Sequence, residues 1–149
     1  MNTIGIIAEF NPFHNGHLHL IQKCKKLLNA DRCIVVMSGD FTQRGAPSIV
    51  DKFTRTKMAL SCGADVVLEL PIYYALGSAE YFAKGAVSIL NSLGCADYLC
   101  FGSECADVSH LTEIAKILNS EPDLYRTILE KEQKNGSSFA AARQKALFS

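Results

Sequence analysis

Apolar residues along this chain fall into two kinds of pattern. Four short runs are almost continuous: Ile4-Gly5-Ile6-Ile7-Ala8, Cys33-Ile34-Val35-Val36-Met37, Val66-Val67-Leu68-Glu69-Leu70 and Tyr98-Leu99-Cys100-Phe101. Runs of this kind read as strands buried on both faces, whereas a half-exposed strand would alternate. Between and after them, apolar positions recur every three or four residues. That spacing predicts helices over Gly16 to Leu28, Val50 to Cys62, Ala79 to Leu93, Ser109 to Leu118, Pro122 to Asn135 and from Ser138 onward. Strands alternating with helices imply right-handed crossovers and a parallel, three-layer α/β sheet.

The junctions repeat. A helix closes at Asn29, Gly63 or Gly94, an Ala-Asp pair follows within two residues, and a strand begins. Asn and Gly suit the left-handed backbone that ends a helix. The recurring Asp31, Asp65 and Asp97 then read as turn residues at the edge opposite the ligand-binding one. Ser48 and Asp51 resemble a capping box for the second helix, on which Lys52, Arg55 and Lys57 read as an ordinary charged outer face. At the carboxyl ends of the strands lie the polar, glycine-rich loops Glu9 to Gly16, Ser38 to Gly45, Pro71 to Ser78 and Gly102-Ser103-Glu104. In an open parallel sheet that edge binds ligands.

Composition narrows the possibilities. A chain of 149 residues, 48% apolar, buries one sound core, so a single domain over 1–149 is expected. Fifteen basic and fifteen acidic residues give no net charge, which argues against a dedicated nucleic-acid clamp. No stretch approaches membrane-spanning length and no signal segment opens the chain, so a cytoplasmic enzyme domain with no membrane partner is expected. The six cysteines include no Cys-x-x-Cys pair and read as reduced, mostly core thiols; no metal site is assigned to the protein. The last predicted helix leads into no further strand, which points to a piece of a longer protein.

The candidate chemistry lies at the first strand-to-helix switch. His14-Asn15-Gly16-His17 opens the first helix, where unpaired N–H groups and the helix dipole attract anions. Three apart, His14 and His17 face the same point and each can donate a hydrogen bond to a phosphate oxygen. His19 reads as a helix surface or packing residue, and His110 has no partner pattern. Arg44, within Gln43-Arg44-Gly45, is a candidate contact to phosphate or RNA, and Glu104 one to a metal or substrate.

The string Gly5 to His17, with Met37-Ser38-Gly39, Gln43-Arg44-Gly45, Gly63-Ala64-Asp65, Glu69-Leu70-Pro71 and Phe101-Gly102-Ser103-Glu104, resembles the tRNA(Met) cytidine acetate ligase family, itself similar to the nucleotidylyltransferases. The resemblance covers essentially the whole chain. It implies a Rossmann-like nucleotidylyltransferase fold and a two-step reaction. Acetate attacks the α-phosphate of ATP to form acetyl-adenylate, which then acetylates the wobble cytidine of elongator tRNA(Met) to N4-acetylcytidine. It also implies that Ile7, Ala8, Glu9, Phe10, Asn11, Pro12, Phe13, His14, Asn15, Gly16, His17, Leu18, His19 and Leu20 hold ATP together with Gly102. In this reading His14 and His17 are the catalytic pair. Mg²⁺ accompanies the nucleotide, because such ions seldom need a full protein cage. The family pattern leads one to expect an acidic residue before Pro47, where this chain has Ala46. The later nucleotide-contacting region and the tRNA-binding half are expected outside this chain, and oligomeric state is not legible.

Two other readings stand beside this one. A general nucleotidylyltransferase would pass AMP to a phosphorylated acceptor, and a nucleotide-binding piece would have no activity alone. Acceptor-dependent ATP assays separate the three.

Overall fold

Every strand of the sheet runs parallel, and across the sheet the order is Val66–Leu70, Ala30–Ser38, Asn2–Ala8 and Tyr98–Cys100. The computed structural model describes residues 1–148, which form two compact units, Met1–Gly102 and the residues from Ser103 onward. The first unit contains β1 (Asn2–Ala8), α1 (Asn15–Leu28), β2 (Ala30–Ser38), α2 (Lys52–Ser61), β3 (Val66–Leu70), α3 (Ile72–Ala75), α4 (Ala79–Leu93) and β4 (Tyr98–Cys100). The second contains α5 (Val108–Ser120), α6 (Asp123–Lys134) and α7 (Phe139–Leu147). In that unit α6 packs on α7, and Tyr125, Ala142 and Ala146 are buried.

Strand alternation in β2 shows the three layers directly. Cys33, Val35 and Met37 join Ile4, Ile6 and Phe10 in a core covered by Ile21 of α1 and Ala59 of α2. Ile34 and Val36 point the other way, into a core closed by Ala75 of α3 and by Ala86 and Leu90 of α4. Each fully buried aliphatic side chain stabilises the fold by about 1.5–3 kcal/mol, so the two central strands dominate its energetics. The outer strands differ from the expectation of burial on both faces: Val66 of β3 and Tyr98 and Leu99 of β4 are exposed. Each lies at an edge, with a neighbour on one side only. A second α4 contact depends on Gly5, where a Cβ would stand 2.8 Å from Leu90 Cδ1.

The predicted helix closures hold. Asn29 and Gly94 are left-handed C-caps with φ of 47° and 63°, and Gly63 has φ of 106°. Two of the junction aspartates pin neighbouring strands at the amino end of the sheet. Asp65 accepts from Cys33 N–H at 2.8 Å, Lys25 Nζ at 2.9 Å and Arg32 Nη1 at 3.0 Å. Asp97 accepts from Thr3 N–H at 2.8 Å. Asp31 instead lies within β2, which begins at Ala30.

Three local expectations are corrected. The Pro71 to Ser78 loop contains the short helix α3. Asp51 caps α2 through Thr54 N–H, while the Ser48 hydroxyl donates to Gly39 O and takes no part in the cap. Arg55 is not on a charged outer face: its relative exposure is 0%. Lys52 is also engaged, donating to both carboxylate oxygens of Glu69 at 2.8 and 2.9 Å. Lys57 alone of the three is exposed as expected.

Candidate functional site

At the carboxyl end of β1 the chain turns sharply before α1. Phe10 adopts a left-handed φ of 48°, costly for a bulky residue, and buries its ring to 1% exposure. The ring meets Phe13 at a centroid distance of 4.8 Å and His17 at 4.7 Å. His14 is the N-cap of α1. Its Nδ1 accepts from Gly16 N–H at 3.1 Å, and His17 Nδ1 accepts from His14 N–H at 3.2 Å, so the two imidazoles form a reciprocal capping box. The rings stack at 3.6 Å.

This arrangement fixes the histidine chemistry. Because both Nδ1 atoms accept, each neutral ring carries its proton on Nε2, and two Nε2–H donors remain for a ligand. Burial, and secondly the neighbouring His14, hold the His17 imidazole below its ordinary pKa of 6.5. His17 is therefore a neutral donor at physiological pH. The expectation of unpaired first-turn N–H groups is modified: Gly16 N–H is capped by His14, and the N–H groups of His17 and Leu18 bond to His14 O. The imidazoles themselves take over much of the helix mouth.

An open cavity of about 430 Å³ lies here, lined by Ile6, Ile7, Ala8, Glu9, Phe10, Asn11, Pro12, His14, His17 and Leu20. It gathers most of the residues that the family resemblance implies for ATP. Phe13, Asn15 and Leu18 line a neighbouring depression toward α2, with His14 between the two. Gly16 serves the cap, and His19 is exposed on the helix. Gly102 lies two residues beyond Cys100, where the pairing of β4 with Ile6 of β1 ends, and it does not line the cavity. Nothing stands within 4 Å of where a Cβ on Gly102 would be. A larger hollow of about 590 Å³ runs along α6, but one helix supplies its entire lining and no groups converge there.

The loops at this edge are laced together. The Phe41–Pro47 segment forms a small hairpin with Gly45 at its tip, φ 80°. Glu9 Oε1 accepts from Gln43 N–H, and Gln43 Nε2 donates to Gly77 O at 2.8 Å. Asn11 Oδ1 accepts from Ile49 N–H at 2.7 Å. Thus Glu9 and Asn11 brace the second loop as well as lining the cavity. Arg44 is exposed beside the hairpin tip and makes no hydrogen bond or ion pair among the described residues. Glu104 is exposed and falls in the second unit.

Arg55 is the site-edge residue that sequence reasoning missed. Its guanidinium donates to Val50 O at 2.9 Å, Glu9 O at 2.6 Å, Ser38 O at 3.1 Å and also to Gly39 O. Burial pulls its pKa below the usual arginine value, against the opposing pull of Asp40, Asp51, Glu9 and Glu69. One signal was available: Arg55 sits four residues before Ala59, on the stripe of α2 that faces the core. Beside it, Gly39, Asp40, Phe41, Lys52, Glu69 and Leu70 help line a second cavity of about 220 Å³ at the ends of β2 and β3. The Glu69 carboxylate lies over Gly39, where a Cβ would come within 2.3 Å of Oε1.

Comparison with known proteins agrees with this geometry. The tRNA(Met) cytidine acetate ligase of Acetivibrio thermocellus is 56% identical over 99% of this chain and 35% of its own length. That of Thermoanaerobacter sp. is 54% identical over 99% of this chain and 37% of its own. The crystal structure of Thermotoga maritima TmcAL bound with alpha-thio ATP superposes with a TM-score of 0.89 at 46% identity, covering 99% of this chain and 36% of that one. The chain therefore spans about a third of the length of the relatives it matches, and corresponds to their amino-terminal part. The HIGH Nucleotidyl Transferase family matches residues 1–149. Across its whole sequence, the chain belongs to the HIGH nucleotidyl transferase family.

Proposed function

We propose that this chain is the ATP-binding, adenylate-forming part of a cytoplasmic tRNA(Met) cytidine acetate ligase. The observation behind this reading is the His14/His17 pair beside the β1 cavity, in a chain sharing its fold with an ATP-analogue-bound TmcAL. The first step is in-line displacement at phosphorus. An acetate oxygen bonds to the α-phosphorus, the bond to the bridging oxygen breaks, and pyrophosphate leaves. Such a reaction needs positioning and charge neutralisation more than covalent help from the protein. The Nε2–H donors of His14 and His17 bind phosphate oxygens and stabilise the charge that grows on pyrophosphate. The Ile7 to Leu20 segment holds the nucleotide, with Gly102 leaving the end of β4 open to it. Among the described residues no three His, Cys, Asp or Glu side chains gather into a metal cage. A magnesium ion arriving with ATP would be held by the nucleotide rather than by a cage of side chains, and would add to the charge neutralisation that His14 and His17 provide.

In the second step the wobble cytidine N4 attacks the acetyl carbonyl carbon, AMP departs with its oxygen, and N4 loses a proton. Most tRNA contacts then belong to the part of the protein outside this chain, with Arg44 a contact from this one. The test is ATP–pyrophosphate exchange in the full-length protein with magnesium and either acetate or phosphorylated acceptors, followed by acetyl transfer to tRNA(Met). Acetate-dependent exchange and N4-acetylcytidine are expected. Exchange or AMP transfer only with a phosphorylated acceptor would overturn the ligase reading in favour of a general nucleotidylyltransferase.

A further inference from the structure

We infer that Arg55 is a positioning residue of the nucleotide site: through the Glu9 carbonyl and the left-handed turn at Phe10, it holds the His17 ring in place for the phosphates. The inference rests on the nucleotide-binding reading above. Arg55 has no exposed surface, and its four acceptors are backbone carbonyls from the end of β1, the end of β2 and the approach to α2. Among the described residues no carboxylate forms an ion pair with it. Burying a cation on these terms is expensive, and an aliphatic residue on the same stripe would pack beside Ala59 at no such cost. Apolar packing alone therefore does not account for an arginine here. A planar fork with five donors joins three chain segments at once, which no apolar side chain can do.

The link to His17 is geometric. In a trans peptide the C=O and the following N–H point in opposite directions. Drawing the Glu9 carbonyl onto Arg55 therefore fixes the plane that leads into Phe10 and aims the Phe10 N–H away from the guanidinium. Phe10 then takes φ of 48°, and its ring meets His17 at 4.7 Å and Phe13 at 4.8 Å. His17 in turn caps α1 through the His14 N–H. Removing the fork leaves the Glu9, Ser38 and Gly39 carbonyls short of a donor, so the turn that supports His17 relaxes.

The test compares Arg55→Gln and Arg55→Lys in the full-length protein, with Leu90→Ala as a destabilised control on the opposite face of the sheet. Affinity for alpha-thio ATP is measured per folded molecule well below each melting temperature, and the His17 ring is titrated by NMR. R55Q is expected to weaken binding about 10- to 100-fold, R55K to recover part of it, and the His17 midpoint to rise toward its ordinary value. L90A lowers thermal stability and changes neither readout. Binding by R55Q within about twofold of the parent, or an equal loss in L90A, would overturn the inference. Failure of the parent protein to bind alpha-thio ATP would instead refute the nucleotide-site reading. Should neither variant fold, the parent's Arg55 Nη1–H, the donor to Glu9 O, decides: continued exchange protection with nucleotide bound supports the clamp, and loss of protection overturns it.

Discussion

Replacing His17 with alanine separates chemistry from folding. In the fold, the side chain accepts one hydrogen bond from the His14 N–H and touches the rings of Phe10, Phe13 and His14. Losing that bond costs about 0.5–1.5 kcal/mol, and losing the ring contacts costs a similar amount, so the fold weakens by about 1–3 kcal/mol. Domains of this kind are stable by about 5–15 kcal/mol, and even the least favourable pairing leaves about 97% of molecules folded at 25 °C. Loss of a preorganised donor to developing charge costs about 2.7–4 kcal/mol, or roughly 100- to 1,000-fold in rate. The expected result of H17A in the full-length protein is therefore a loss of acetate-dependent ATP–pyrophosphate exchange far larger than unfolding can explain. The melting temperature should fall by about 2–4 °C for each kcal/mol lost. Exchange per folded molecule within about threefold of the parent would show that His17 is a packing and capping residue, and the assignment of charge stabilisation to it would be withdrawn.

The lowered pKa of His17 gives a stability signature with a definite sign. Below about pH 6.5 the unfolded chain binds more protons at this position than the folded one, so stability contributed by neutral His17 is lost as pH falls from that value toward the folded pKa and then levels off. Denaturant midpoints of the parent and His17→Asn should diverge across that window, and parallel curves would contradict the assignment. Gly5→Ala places a methyl 2.8 Å from Leu90 Cδ1 and should destabilise by about 1–3 kcal/mol. In a double-mutant cycle Leu90→Ala should relieve much of that cost, and strict additivity would count against a direct clash. Arg44→Ala, which breaks no contact among the described residues, should leave ATP–pyrophosphate exchange unchanged while raising KM for tRNA. An unchanged KM would mark Arg44 as merely solvated.

What could be read along the chain was what neighbours in sequence decide. Strands and helices follow from apolar spacing over a few residues, and Asn29, Gly63 and Gly94 close helices because only a residue tolerant of positive φ fits there. The placement of His14 and His17 at the helix start was legible for the same reason, since cap, turn and helix are contiguous, whereas their tautomers follow only from the hydrogen bonds of the folded turn. The edges were less legible. Apolar runs in β3 and β4 look like those of the central strands, and strand order alone leaves Val66 and Leu99 exposed.

Contacts between distant segments were decided by the tertiary structure. Arg55 looked like one of three solvated cations until the placement of β1 beside β2 brought the Glu9, Ser38 and Gly39 carbonyls, 16 to 46 residues away, around its guanidinium. Lys52 was turned toward Glu69 by the same sheet, 17 residues on. Glu9 and Asn11 gained their bracing partners, Gln43 and Ile49, from loops that meet only once the strands align. Periodicity records which face of an element is apolar, and it holds no information about which carbonyls will lack a donor when the sheet closes. The need for a buried arginine arises there, from unpaired backbone acceptors that exist only in the assembled fold.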